Sequence, residues 1–126
     1  MNVSVSNIGY TEGTWVPTFT GFSADPTSVS ARYILIGKQC TIWVNMTAGT
    51  SNATTFTITA PFTAANTTTQ LNTGMRIMNN GTRAGAGMIS TIANSSTLNV
   101  FRDGVPTAWT ASGNKEATFM LTYEIA

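Results

Sequence analysis

Between residues 39 and 46 the apolar and polar positions alternate. Cys40, Ile42, Val44 and Met46 fall on one side; Gln39, Thr41 and Asn45 fall on the other. A period of two marks a strand with one buried face and one wet face. Residues 33–36 form a second strand-forming run, and Gly37-Lys38 between the two reads as a tight turn. The alternation returns at 54–60, with Phe56, Ile58 and Ala60 inward. It is clearest at 117–125, with Phe119, Leu121, Tyr123 and Ile125 inward and Thr118, Met120, Thr122 and Glu124 outward. Further strands are predicted over 14–22, 29–36, 71–78, 83–93, 97–101 and 105–110. Pro17 cannot donate to a ladder, so its strand belongs at an edge or at the start of a sheet. Gly85 and Gly87 mark 83–93 as tightly packed or bulged. Residues 49–53, Asn79-Asn80-Gly81, Ser95-Ser96, Arg102-Asp103-Gly104 and 111–115 read as turns. No window keeps helical spacing with good helix formers. About eight or nine short strands predict an all-β fold, an antiparallel β-sandwich or jelly roll.

Trp43 breaks the pattern. It lies among the polar positions of its strand, so a large ring points away from that strand's core and needs cover from another subunit or a ligand. A subunit contact is the reading favoured for it. At the other end of the chain, residues 1–13 alternate weakly at Val3 and Val5 and then become loop-like. They are read as an arm or an edge strand, with Val3, Val5, Ile8 and Tyr10 as attachment residues. Residues 14–126 are read as a single domain.

Composition narrows the function. Charged residues are 9 % of the chain, against about 25 % in typical domains. Polarity comes instead from Thr, Ser and Asn, and threonine suits a pleated strand with one wet face. Disorder does not fit a hydrophobic content of 42 % with three Trp and six Phe. A net charge of +1, with no basic cluster, argues against nucleic acid as a partner. No apolar run reaches membrane-spanning length, and the start of the chain lacks the basic and apolar regions of a signal peptide. Cys40 is single and on an apolar face, and reads as a small buried hydrophobe. The N-x-S/T triplets, such as Asn52-Ala53-Thr54, are the chance yield of a threonine-rich chain.

The chain has no His. The commonest general base and metal ligand are therefore missing, and no metal or other cofactor is expected. The five acidic residues are scattered, and nothing in the sequence pairs Asp103 with Glu116 as a glycosidase would require. The glycines at 81–87 resemble a phosphate loop but lack its Lys-Ser/Thr. A non-enzymatic protein is expected, with a polysaccharide-cleaving enzyme and a free monomeric lectin as rivals. Trp109 lies beside the Arg102-Asp103-Gly104 turn. A Trp with Arg and Asp beside it suits sugar binding, because the ring stacks on a pyranose while polar groups take its hydroxyls. Cover by neighbouring strands is the equal alternative.

The ordered set Gly13-Thr14-Trp15-Val16-Pro17, Tyr33-Ile34-Leu35-Ile36-Gly37-Lys38, the alternating strand 40–46, and Ala60-Pro61-Phe62 resembles a family. It is similar to the tip or C-terminal domains of tailed-bacteriophage fibre and virion-surface proteins, over residues 13–62. Ala60 departs from the usual Leu before Pro, and no stalk precedes the domain. The resemblance implies a jelly-roll-like homotrimer displayed on a virion, made in the host cytoplasm. Its partners would be copies of itself, tail or capsid proteins, and host-surface carbohydrate. Two roles follow: a receptor-binding tail tip, placed slightly ahead, or a capsid decoration or head-fibre protein held by its N-terminal arm.

Overall fold

A computed structural model of the chain describes residues 9–67 and 69–126. These residues form eleven strands and no helix. They are β1 (Tyr10–Thr14), β2 (Phe19–Thr20), β3 (Phe22–Ala24), β4 (Thr27–Ile36), β5 (Gln39–Thr47), β6 (Gly49–Ser51), β7 (Thr57–Thr59), β8 (Leu71–Asn79), β9 (Thr82–Thr91), β10 (Thr97–Phe101) and β11 (Asn114–Glu124). All pairings are antiparallel, in the order β1-β4-β5-β11-β8-β9-β10-β7-β2, with β3 on β6 and β6 on the start of β11. The sheet curls into a half-barrel. Accordingly no helix among the described residues is long and apolar enough to cross a membrane.

The clean alternations set the hub. β11 pairs β5 through Phe119–Glu124 and β8 through Glu116–Thr118. Its inward residues Phe119, Leu121 and Tyr123 join Cys40, Ile42 and Val44 of β5 in the core. Burying a large apolar side chain of this kind contributes roughly 1.5–3 kcal/mol. The 33–46 stretch forms the expected hairpin around Gly37, whose φ of 58° lies in the left-handed region.

The residues that carry the family resemblance are one packing unit. β1 lies at one end of the strand order and β2 at the other, and residues 15–18 join them. The Trp15 N–H donates to Ala31 O of β4 at 3.2 Å, while its indole Nε1–H donates to Thr59 O of β7 at 2.9 Å. Trp15 therefore ties the two ends of the sheet together. Its ring centroid is 6.5 Å from that of Tyr33, which meets Phe62 edge-on at 5.0 Å. A Cβ at Gly13 would lie 2.8 Å from the Tyr33 hydroxyl, so a side chain there would displace the ring.

Three stretches differ from expectation. Residues 14–22, read as one strand, are a connection over 15–18 followed by the short β2 and the start of β3. Residues 105–110 are a loop, because Asp103 Oδ1 accepts from the amides of Val105 (3.0 Å) and Thr107 (2.7 Å) and Pro106 has no N–H to give a ladder. Ser51 and Lys115, expected in turns, lie in β6 and β11. Of residues 1–13, read as an arm or an edge strand, Tyr10 through Gly13 take the edge-strand alternative, laddered on Ile36 through Tyr33 of β4.

Candidate functional site

Two regions carry the residues singled out by sequence. The first is the outer face of the β1-β4-β5-β11 sector. Trp43 of β5 lies between Arg32 of β4 and Met120 of β11 in register. The next positions along give Glu12, Ile34, Thr41 and Thr122, and then Tyr10, Ile36, Gln39 and Glu124. The Thr41 and Thr122 hydroxyls are 2.9 Å apart. Met120, Ile36 and Tyr10 are 49 %, 44 % and 43 % exposed. Trp43 is half-buried, and the Arg32 guanidinium carbon sits 4.6 Å from its ring centroid. Part of the cover expected from outside thus comes from this chain's own cation, in a geometry that favours a cation over a ring face. Tyr10 donates from its hydroxyl to Glu12, and that bond pushes the phenol pKa up. The other attachment residues, Val3, Val5 and Ile8, lie outside the described residues.

The second region is the loop after β10. Of the two readings weighed evenly for Trp109, a sugar platform or cover by neighbouring strands, the structure has the ring covered. Its ring is 3 % exposed, its Nε1–H donates to Val100 O at 2.8 Å, and its centroid lies 5.4 Å from that of Phe56. Such a ring offers no open face for a sugar. The 102–107 loop turns the chain so that Trp109 re-enters the core. Asp103 spends Oδ1 on that loop, and its hydrogen bonds to Thr107 hold its carboxyl below the usual range. Arg102 lies beside it with a buried, unpaired Nε. Trp109 borders a groove of about 420 Å³ that is also lined by residues 54–57 before and within β7, residues 99–101 of β10, and Pro106, Thr107 and Ala108. Arg102 and Asp103 are not among its lining residues.

No family model matches this chain, and no curated protein matches it.

Sequence reading missed Lys115. It is fully buried, and its Nζ donates to the carbonyls of Gly21 (2.8 Å), Thr55 (3.0 Å) and Ala53 (3.3 Å). The same nitrogen lies 4.6 Å from the Phe22 ring centroid, 5.6 Å from Phe56 and 5.7 Å from Trp109. Burial pushes its pKa down to about 8. The signal was present: carried two residues back from Ala117, the inward parity of β11 falls on Lys115. The neighbouring Glu116 is ion-paired with Arg83 across β8, so the two carboxylates weighed for paired chemistry serve separate partners. Cys40 is fully buried beside Tyr123, and burial pushes its thiol up, away from the reactive thiolate.

Proposed function

We propose that this chain is a non-enzymatic structural protein of a tailed-bacteriophage virion. It is a jelly-roll-like domain that assembles as a homotrimer, is displayed on the particle surface as a fibre or tail tip, and binds host-surface glycan. The observation that carries the assembly is the outer sheet face. A set of half-buried and exposed apolar side chains (Tyr10, Ile34, Ile36, Trp43 and Met120) sits on four adjacent strands, with Glu12, Arg32 and Glu124 in the same register rows. Closed packing of copies through this face would cover Trp43, and closure protects sheet edges. The resemblance over residues 13–62 supplies the virion context, and its aromatic residues form the clasp that closes this sheet. Low charge and abundant Thr, Asn and Ser fit a surface that meets copies of itself and carbohydrate.

The deciding experiment is the position of the protein on intact particles, by cryo-EM or labelled antibody. Density at the tail tip is the expected result. Density at capsid vertices or hexamer centres would replace the tip role by capsid decoration through the N-terminal arm. Absence from purified particles overturns the virion reading.

A further inference from the structure

We propose that the groove over Trp109 is a saccharide subsite that takes an uncharged pyranose, held by Asn99, Thr57, Thr55 and the apolar surfaces of Phe101 and Pro106. The proposal rests on the reading of the chain as a glycan-binding surface protein, and moves the ligand from Trp109, Arg102 and Asp103 to their neighbours. Alternation along β10 puts Asn99 and Phe101 on the same side, with Leu98 and Val100 in the core. Thr57 of β7 is the cross-strand partner of Asn99. The Val100 N–H donates to Phe56 O at 2.9 Å, which carries the register one step further and brings Thr55 opposite Phe101. A carboxamide, two hydroxyls and a ring thus share one small surface, with Asn99, Thr57 and Phe101 half-buried and Thr55 exposed.

The polar groups are unspent. The side chains of Asn99, Thr55 and Thr57 make no hydrogen bond among the described residues. A carboxamide offers two donors and an acceptor, and each threonine hydroxyl can both donate and accept. That inventory matches vicinal sugar hydroxyls, which also do both. Phe101 is half-buried and Pro106 exposed, so each presents apolar surface to the C–H face of a pyranose. No charged side chain lines the groove. The nearest carboxylate, Asp103, is turned to its own loop, and the Lys115 ammonium is fully buried among carbonyls. A sugar carboxylate, phosphate or ammonium would lose water there without gaining an ion pair. The ligand is therefore neutral. The groove volume of about 420 Å³ lies within the span of small-ligand sites.

The test is an NMR titration of the isotope-labelled full chain with glucose, galactose, mannose and N-acetylglucosamine, and with glucuronate and sialic acid as charged counterparts. The expected result is saturable shifts of the Asn99 side-chain amide and the Thr57 and Phe101 backbone amides with at least one neutral sugar. The affinity should be roughly millimolar, as for one sugar ring on an open site. Asn99→Ala should weaken it about two- to tenfold, the loss of one hydrogen bond. Thr57→Val, nearly isosteric, serves as the second variant should Asn99→Ala disturb the fold, and should weaken binding in the same direction. No saturable shift with any neutral sugar, equal affinity in both variants, or tighter binding of glucuronate or sialic acid each overturns the proposal. Particle location is read separately. A chain found on virions that binds no sugar loses this subsite alone; a chain that binds sugar but is absent from virions loses the virion reading alone.

Discussion

At the scale of single residues, Lys115 sets the sharpest constraint. A buried ammonium without a counter-charge is costly, and this one is held only by carbonyl oxygens and ring faces. Its pKa of about 8 in the fold lies below the ordinary 10.5. Between those values the unfolded chain binds more protons than the folded one, so stability rises with pH. The contribution is complete above about 10.5 and is lost as pH falls through about 8. Cys40 and Tyr123 run the other way. Burial raises both above their ordinary values of 9.0 and 10.0, so their contributions are present below those values and are lost as pH rises through the folded ones. The interval between about pH 8 and 9 therefore isolates the lysine. Urea unfolding across it should show wild type gaining stability relative to Lys115→Met, whose curve lacks this term. At neutral pH the variant should cost about 1–3 kcal/mol, because the Thr55 carbonyl loses its partner in a buried setting. The Gly21 and Ala53 carbonyls keep Asn52 N–H and Ser51 Oγ. Parallel pH profiles for the two proteins would show that the buried charge is not penalised.

At the scale of elements, the β8–β9 pair depends on a glycine. The β8–β9 register shifts on both sides of Met75, and Gly87 is the residue paired with it. A Cβ at Gly87 would strike the Ile77 side chain and lie 2.9 Å from the Phe101 carbonyl and 3.2 Å from Met75 Cγ. Gly87→Val should destabilise by roughly 1–3 kcal/mol through overpacking, read as a lower urea midpoint at unchanged slope. An unchanged midpoint would mean that the pair can slide to make room. Sequence showed this strand as tightly packed or bulged, and showed the 39–46 and 117–125 strands with their faces, because one buried face imposes a period of two. It misplaced residues 105–110, where Val105, Thr107 and Trp109 mimic that period. The amide capture by Asp103 that makes a loop there is a local choice with no periodic signature. The burial of Trp109, one of two readings the sequence left equal, could not be decided there, since nothing in a strand pattern shows a loop turning a ring inward. The Asn99–Phe101 alternation was legible, but its meeting with Thr57 and Thr55 depends on which strands pair, and pairing partners are tertiary. The residues behind the resemblance build the clasp between the ends of the sheet, so they speak to fold more than to ligand.

At the scale of the whole molecule, the subunit is compact by itself. Its accessible surface of 6578 Å² is close to the roughly 6,500 Å² expected for a compact monomer of this mass. Its core is closed by Trp15 and by the Lys115 cage, neither of which involves the Trp43 face. In the proposed homotrimer, assembly is therefore separable from folding, and variants on that face should dissociate copies without unfolding them. Wild type should run in solution at about three times 13.3 kDa. Trp43→Ala removes a central ring and frees Arg32. At a subunit contact such an anchor is worth about 2 kcal/mol or more, so the variant should fall to lower mass at concentrations where wild type holds together. Its urea midpoint should move little, because an exposed cation–ring pair contributes only about 0.5–1 kcal/mol. Met120→Lys checks the same face from β11, placing a charge beside Trp43 on a side chain already half-exposed. Should both variants keep the mass of wild type, the Trp43 face is not the subunit contact and its ring is served by Arg32 alone. Should wild type itself run at 13.3 kDa at every concentration, the homotrimer fails, and the row from Tyr10 to Met120 is left to a different partner.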